Sequence, residues 1–336
     1  MVIAVDVFGG DNAPQAILEG SVRALAQNGE MQLILFGDAK AIEAYMAAYP
    51  QYASRVSVRH APDYISSHEQ PTYAVKHKPD SSLVGALRCV ADREAQCMIS
   101  AGSTGAVLAG ATLIVRRLKG VKRPALAPIM PTRHGCVLLV DCGANVDCKP
   151  SYLPQFGVMG SAFMQHVYGI EQPRVGLLNN GAEAEKGNEL TKAAYPLMEK
   201  APFRFAGNCE GRDVLSGEFD VVVSDGFSGN MILKNTEGTA MLMVKMLKDE
   251  LMADTRSKLG ALFAKPAFKR LQARMDYTEY GGAPLLGING GIIKAHGSSD
   301  AKAFSAAMRQ AAAYVKGGVT EAIGTAIAQM GDDGGE

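Results

Sequence analysis

The stretch VIAVDVFGGDNAP, residues 2–14, runs apolar from Val2 to Val5, meets Asp6, and then breaks into Gly9, Gly10, Asp11 and Pro14. β-Branched residues favour extended backbone, and glycine, asparagine and proline turn it. The pattern predicts a strand with a carboxylate and a side-chain-poor turn at its tip. It recurs in QLILFG (32–37), RVSVRH (55–60), QCMISAG (96–102), ALAPIM (125–130), CVLLVDCG (136–143), RVGLLNNG (174–181), FRFAGN (203–208) and DVVVSDG (220–226). Amphipathic segments of helical length, such as 13–29 and 190–201, lie between many of these runs. Near-continuous apolar strands alternating with helices predict an α/β fold, a doubly wound and largely parallel sheet covered on both faces. Ligands in such sheets bind beyond the carboxyl ends of the strands, which makes DVFGGD one wall of a crevice.

The chain has 336 residues, of which 47% are apolar and 20% charged, enough to bury one large domain or two closely joined lobes over 1–330. Lys+Arg and Asp+Glu both number 34, a balance that argues against a dedicated nucleic-acid binder. Six cysteines are scattered with no C-x-x-C pair, so they read as reduced thiols rather than zinc ligands. The first apolar run is short and has no basic region before it, unlike a signal peptide. The apolar run at 106–115 is well short of the ~20 residues a membrane span needs. A cytoplasmic location, with peripheral membrane contact as an option, is the expectation. The tail GDDGGE (331–336) is expected to fray.

No G-x-G occurs, which excludes the dinucleotide fingerprint, and neither the P-loop pattern nor H-E-x-x-H is present. Small-residue loops follow the strands instead: SAGSTGAVLAG (100–110), DCGANVD (141–147), NNGAEAEKGNE (179–189) and SDGFSGNMILK (224–234). Each is expected at the start of a helix, all on one edge of one sheet. Glycine lets backbone N–H groups approach an anion, and helix starts favour negative charge. Gly102, Ser103, Thr104 and Gly105 form the preferred phosphate cradle, with Ser228, Gly229 and Asn230 as further donors and Asn179 as a weaker one. The carboxylates of Asp6, Asp11, Asp141 and Asp147 would repel a bound anion, so these residues and Asn145 read as ones that orient loops or a lysine, with Gly9 and Gly10 shaping the first turn. A Mg²⁺ bridge among these carboxylates is the less favoured alternative, and no cofactor is required. His296, in KAHGSS, is a candidate for the same crevice or a structural histidine.

The ordered set VDVFGGDNAP, SAGSTGA, KRPALAP, DCGANVDCKP, QFGVMGS, LLNNGAEAEKGNE, SDGFSGNMILKNTEG and GGAPLLGINGGIIKAHGSS resembles the phosphate acyltransferases of bacterial phospholipid synthesis, the PlsX family. The resemblance covers nearly the whole chain. It departs at Phe8, where the family usually carries methionine, and at Ala182 and Ala184, which thin an acidic run before Lys186. It implies a fold shared with phosphotransacetylases and the isocitrate dehydrogenase group, and a homodimer. It also implies transfer of an acyl group from acyl carrier protein to inorganic phosphate, with Lys186 and Asn230 important for activity.

The chemistry is compatible with these residues. Phosphate near neutral pH is largely a dianion, so it needs no base to become a nucleophile, and a thiol with a pKa of about 8.5 leaves without strong acid. Positioning can contribute roughly 7–11 kcal/mol, and one lost oxyanion donor costs about 10²–10³ in rate. Lys186 would neutralise phosphate or the developing charge, and Asn230 would donate to phosphate or to the thioester oxygen. Otherwise Lys186 reads as a charge in the first turn of a helix, and Asn230 as a helix cap.

Residues 237–280 replace strand–helix alternation with a long helical pattern, a protruding arm. Within it, Arg256, Lys258, Lys265, Lys269, Arg270 and Arg274 interleave with Leu259, Leu262, Phe263, Phe268 and Leu271, and Pro266 is expected to divide two short helices. This mixture suits packing against a dimer mate, contact with an anionic membrane or docking of an acidic carrier protein. The basic run 116–123 is a second docking candidate. The alternatives to the acyl-carrier reading are a phosphotransacetylase using coenzyme A thioesters, a decarboxylating dehydrogenase of the same fold, and a non-catalytic scaffold.

Overall fold

A computed structural model of the chain describes residues 1–275 and 281–330. In chain order the strands are β1 Val2–Asp6, β2 Gln32–Gly37, β3 Val56–His60, β4 Cys97–Ser100, β5 Ala125–Leu126, β6 Ile129–Thr132, β7 Gly135–Val140, β8 Arg174–Asn179, β9 Arg204–Glu210, β10 Val221–Val223, β11 Ala283–Leu286 and β12 Gly291–Lys294. The helices are α1 Gln15–Gln27, α2 Ala39–Met46, α3 Pro71–His77, α4 Ser82–Ala91, α5 Thr104–Gly110, α6 Leu153–Tyr168, α7 Glu189–Glu199, α8 Gly226–Leu251, α9 Thr255–Met275, α10 Ala301–Lys316 and α11 Val319–Gln329.

The α/β reading holds, but the strands make two sheets rather than one. Seven run in the order β3-β2-β1-β4-β12-β11-β5 and five in the order β6-β7-β10-β8-β9. Only β11 in the first and β6 in the second run against their neighbours. The division falls inside ALAPIM, which is two strands rather than one. Pro128 has no N–H to offer a ladder, and the chain passes through Ala127 and Pro128 from one sheet to the other. The small-residue loops are therefore shared out. SAGSTG ends β4 in the first sheet, and the other three end β7, β8 and β10 in the second. Helices follow three of these loops at once, but after β7 no α-helix begins until Leu153.

Alternation along the strands sorts side chains onto two faces. Ile3 and Val5 join Leu138, Val140, Val221, Phe156, Phe163 and Phe304 in one core that both sheets share. Ala4 turns the other way, to Phe36, Met98, Leu83 and Leu87. Helices α1 and α10 close one side of the shared core. They cross at Gly20, where a Cβ would lie 2.9 Å from the Ala301 carbonyl oxygen and from the Phe304 Cβ.

The arm departs from expectation at two points. Its first helix begins at Gly226, within the strand-tip loop, rather than near 237. Pro266 lies inside α9 and does not divide it, since one missing N–H removes a single helical hydrogen bond while the surrounding turns keep theirs. Met241, Leu242, Met243, Val244, Met246 and Leu247 on α8 are exposed, as are Leu259, Leu262 and Phe263 on α9, the last at 80%. Residues 276–280 of the expected arm and the tail 331–336 lie outside the described residues.

Candidate active site

Three parallel strands of the seven-stranded sheet end side by side. Lys294, the last residue of β12, pairs with Ser100, the last of β4. The Ser100 hydroxyl donates to the Asp6 carboxylate at the tip of β1, at 2.6 Å, and the Ser82 hydroxyl at the start of α4 donates to the other oxygen at 2.5 Å. Gly9 packs so closely on this carboxylate that a Cβ there would lie 2.5 Å from its Oδ2. Burial pushes the Asp6 pKa up, against the serine hydroxyls and the Lys294 charge that favour its ionised form. The turn after β1 is tied down through Asp11 N–H to the Gly297 carbonyl at 2.8 Å and through the Asn12 amide to Ser298 O.

Lys294 is buried, and its ammonium donates to the carbonyls of Ala101 and Ala295. Desolvation pushes its pKa down to about 8, with Lys234 adding to the fall and Asp6 and Asp11 opposing it. The lysine was not singled out in the sequence, although GIIK places a cation where a strand run stops. Burial also lowers the pKa of His296, two residues on, whose Nδ1 lies 2.8 Å from the Ser298 hydroxyl.

The five-stranded sheet ends differently. Asp141, fully buried after β7, accepts backbone N–H groups from Leu126, Ala144 and Asn145 and the Asn145 side-chain amide. Leu126 belongs to the other sheet, so this carboxylate pins the two sheets together, and the Cys142 N–H reinforces the joint by donating to Leu126 O. Helix α8 starts against it. Asp225 caps the helix by accepting the Ser228 N–H at 2.8 Å, and Gly229 lets it pass so close that a Cβ would lie 2.0 Å from the Asp141 carbonyl oxygen. Asn230 is thus inside the helix and is not its cap. Its side chain meets Gly143, where a Cβ would stand 3.9 Å from the Asn230 Cγ.

Between the strand tips and α8 lies a cavity of about 990 Å³. Thr104, Gly143, Asn230, Lys234, Lys294 and His296 line it, as do Leu126, Ile129, Met130, Leu215, Met243 and Leu271. Helix α8 supplies Asn230, Leu233, Lys234, Asn235, Thr236, Glu237, Thr239, Ala240 and Met243, a lining that spans about 20 Å of helix at 1.5 Å per residue. Along it the amide and charged groups lie between Asn230 and Glu237, with Leu233 and Thr236 among them, and beyond Thr239 the lining is Ala240 and Met243, with Leu271 of α9.

Of the residues expected at the site, Thr104, Asn230 and His296 reach this cavity. Ser103 spends its hydroxyl capping α5, and Gly102, Gly105, Ser228 and Gly229 do not line the cavity. Asp6, Asp141 and Asn145 are engaged in the hydrogen bonds described, Gly10 and Asp11 belong to the tied-down first turn, and Asp147 is exposed. Lys186 does not line the cavity. It is exposed on the loop after β8, the neighbour of β10, and precedes Asn188, the cap of α7, so it is not in the first turn of a helix. The Asn179 amide donates to its carbonyl at 3.1 Å and so anchors that loop. All six cysteines are free thiols, and no helix among the described residues is long and apolar enough to cross a membrane.

Two joined α/β sheets with a cavity at their strand tips make a fold similar to that of phosphotransacetylase structures. A phosphotransacetylase from Streptococcus pyogenes superimposes with a TM-score of 0.61 over 96% of this chain and 94% of its own, at 15% identity. A branched-chain phosphotransacylase from Enterococcus faecalis gives 0.58 over 94% and 99%, at 14% identity. The sequence places the chain more narrowly. Residues 1–322 match the model of the family described as fatty acid synthesis protein. The phosphate acyltransferase of Clostridium acetobutylicum is 46% identical over 98% of this chain and all of its own, and that of Clostridium botulinum strain Alaska E43 is 50% identical over 96% and 98%. The chain belongs to the phosphate acyltransferase (PlsX) family, and its class of activity is acyl transfer.

Proposed function

We propose that the protein transfers a fatty acyl group from the thioester of acyl carrier protein to inorganic phosphate, giving an acyl phosphate for phospholipid synthesis. The observation that carries this reading is the graded cavity along α8, polar at Asn230 and apolar at Met243 and Leu271. Its apolar length suits an acyl chain, and its polar end suits a phosphate beside a carbonyl. Asn230 would donate its amide to the thioester oxygen as charge develops there, and Thr104 would donate to phosphate. Lys186, on the exposed loop one strand away, would meet the carrier-bound substrate as it approaches. No nucleophilic side chain is needed. Phosphate oxygen attacks the carbonyl carbon, the C–S bond breaks, and the thiolate leaves and takes up a proton from solvent.

The assay is acyl phosphate trapped with hydroxylamine from acyl carrier protein thioester and phosphate, run beside the coenzyme A thioester. Asn230→Ala is expected to lower turnover about 10²–10³-fold, the usual cost of one oxyanion donor, and Lys186→Ala to raise the half-saturating thioester concentration. Wild-type turnover in both folded variants would remove these roles, and preference for the coenzyme A thioester would favour the phosphotransacetylase reading.

The arm is proposed as the contact element, for a second copy of the chain, a membrane surface or the carrier protein. Its support is the exposed apolar run on α8 together with Leu259, Leu262 and Phe263 beside the exposed Lys265, Lys269 and Arg270. Exposed apolar patches of this extent mark contact surfaces. Changing Phe263 and Phe268 to Asp is expected to leave the melting temperature in place and abolish flotation with anionic vesicles. Unchanged flotation would remove the membrane reading, and a wild-type dimer that becomes a monomer in the variant would favour contact with a second copy.

A further inference from the structure

We propose that Lys294 is the cation that holds inorganic phosphate in the cavity, a role that rests on the acyl-transfer reading above. Three observations carry it. The side chain is 8% exposed yet lines the cavity, so what exposure it has faces the place where a ligand would sit. Its ammonium has three donors, and the bonds described to Ala101 and Ala295 use two of them, both on neutral carbonyls. No carboxylate lies within ion-pair distance of its Nζ among the described residues. Asp6 acts on it from the neighbouring strand tips, but spends its oxygens on Ser82 and Ser100.

A buried ammonium without a contacting counter-ion is unfavourable, and an anion entering from the cavity relieves it. The other cations fit less well. Lys234 is paired with Glu237 at 2.7 Å and is half exposed, Arg133 also lines the cavity but sits in the β6–β7 turn, at the end of β7 opposite its tip, and Lys186 is outside the cavity. Thr104 and Asn230 line the same space with neutral donors. One buried charge with several neutral donors suits a small tetrahedral oxyanion that must be bound yet remain free to attack.

The test compares wild type with Lys294→Gln and Lys294→Met. Glutamine keeps N–H donors for the Ala101 and Ala295 carbonyls and removes the charge, so it stays informative if the methionine variant fails to fold. Two readouts are taken, the rise of melting temperature with inorganic phosphate and the half-saturating phosphate concentration at saturating thioester. Wild type should be stabilised by phosphate. Lys294→Gln should lose that stabilisation and need about 10- to 100-fold more phosphate, the effect of losing a hydrogen bond to a charged group, while its half-saturation for the thioester stays put. Wild-type phosphate dependence in Lys294→Gln, or no phosphate-dependent shift in wild type, overturns the proposal. If wild type binds phosphate through Lys294 but forms no acyl phosphate, the reaction assigned above fails and the phosphate site stands.

Discussion

Asp6 and Asp141 occupy equivalent places, each a buried carboxylate at the tip of a parallel strand, one in each sheet. Their partners differ. Asp6 is held by two serine hydroxyls, and Asp141 by three backbone N–H groups and one side-chain amide. A hydroxyl can reverse its role from donor to acceptor, whereas a backbone N–H cannot. The tip at Asp6 is therefore an adjustable polar site facing a cation, and the tip at Asp141 is a fixed joint between sheets. Burial raises the pKa of both carboxylates, so titration alone would not separate them.

The same substitution at both positions tests the contrast. Asp141→Asn turns an amide donor toward donors that cannot retreat, and is expected to cost about 3–5 kcal/mol, read as a steep fall in soluble yield and urea midpoint. Asp6→Asn is expected to cost about 1–2 kcal/mol, because Ser82 or Ser100 can rotate to accept the new amide. Equal losses at the two sites would dissolve the distinction.

Asp6→Asn also has a signature in pH. The groups facing Lys294 are Asp6, Asp11, Lys234 and His296. Because burial holds the folded-state pKa at about 8, below the unfolded value of about 10.4, the folded chain releases this proton first. The unfolded chain then binds more protons across that window, so stability from this group rises with pH between about 8 and 10.4. Urea unfolding at several pH values should show the rise in wild type and lose it in Lys294→Met. In Asp6→Asn, without the opposing charge, the window should open at lower pH, and an unmoved window would show that Asp6 does not bear on Lys294.

Much of the body was legible because apolar runs that stop at Asp, Asn or Ser mark strand tips, and the runs at 2–7, 32–37 and 174–181 became β1, β2 and β8. The division into two sheets was less visible, since it depends on a single proline in ALAPIM and on the long-range bond from Leu126 to Asp141. Strands β11 and β12 were missed because Pro284 and the glycines at 281, 282, 287, 290 and 291 break up their apolar residues, and with them went Lys294. Thr104, Asn230 and His296, picked out from their loops and, for Asn230, also from the family resemblance, line the cavity. Lys186 was expected in the same crevice, but adjacent strand order does not say which way a loop leans, and its loop leans outside the cavity. The arm's uninterrupted α9 shows that one proline need not end a helix of this length.

The position of β12 has a consequence for biosynthesis. Residues 291–294 lie beside β4, residues 97–100, and carry β11 and β5 on their far side. Until residues 291–294 have been synthesised, β4 presents an unpaired edge of Cys97, Met98 and Ile99. Such an edge invites pairing with the wrong chain, so the nascent protein is exposed to aggregation at β4 for as long as β12 is missing.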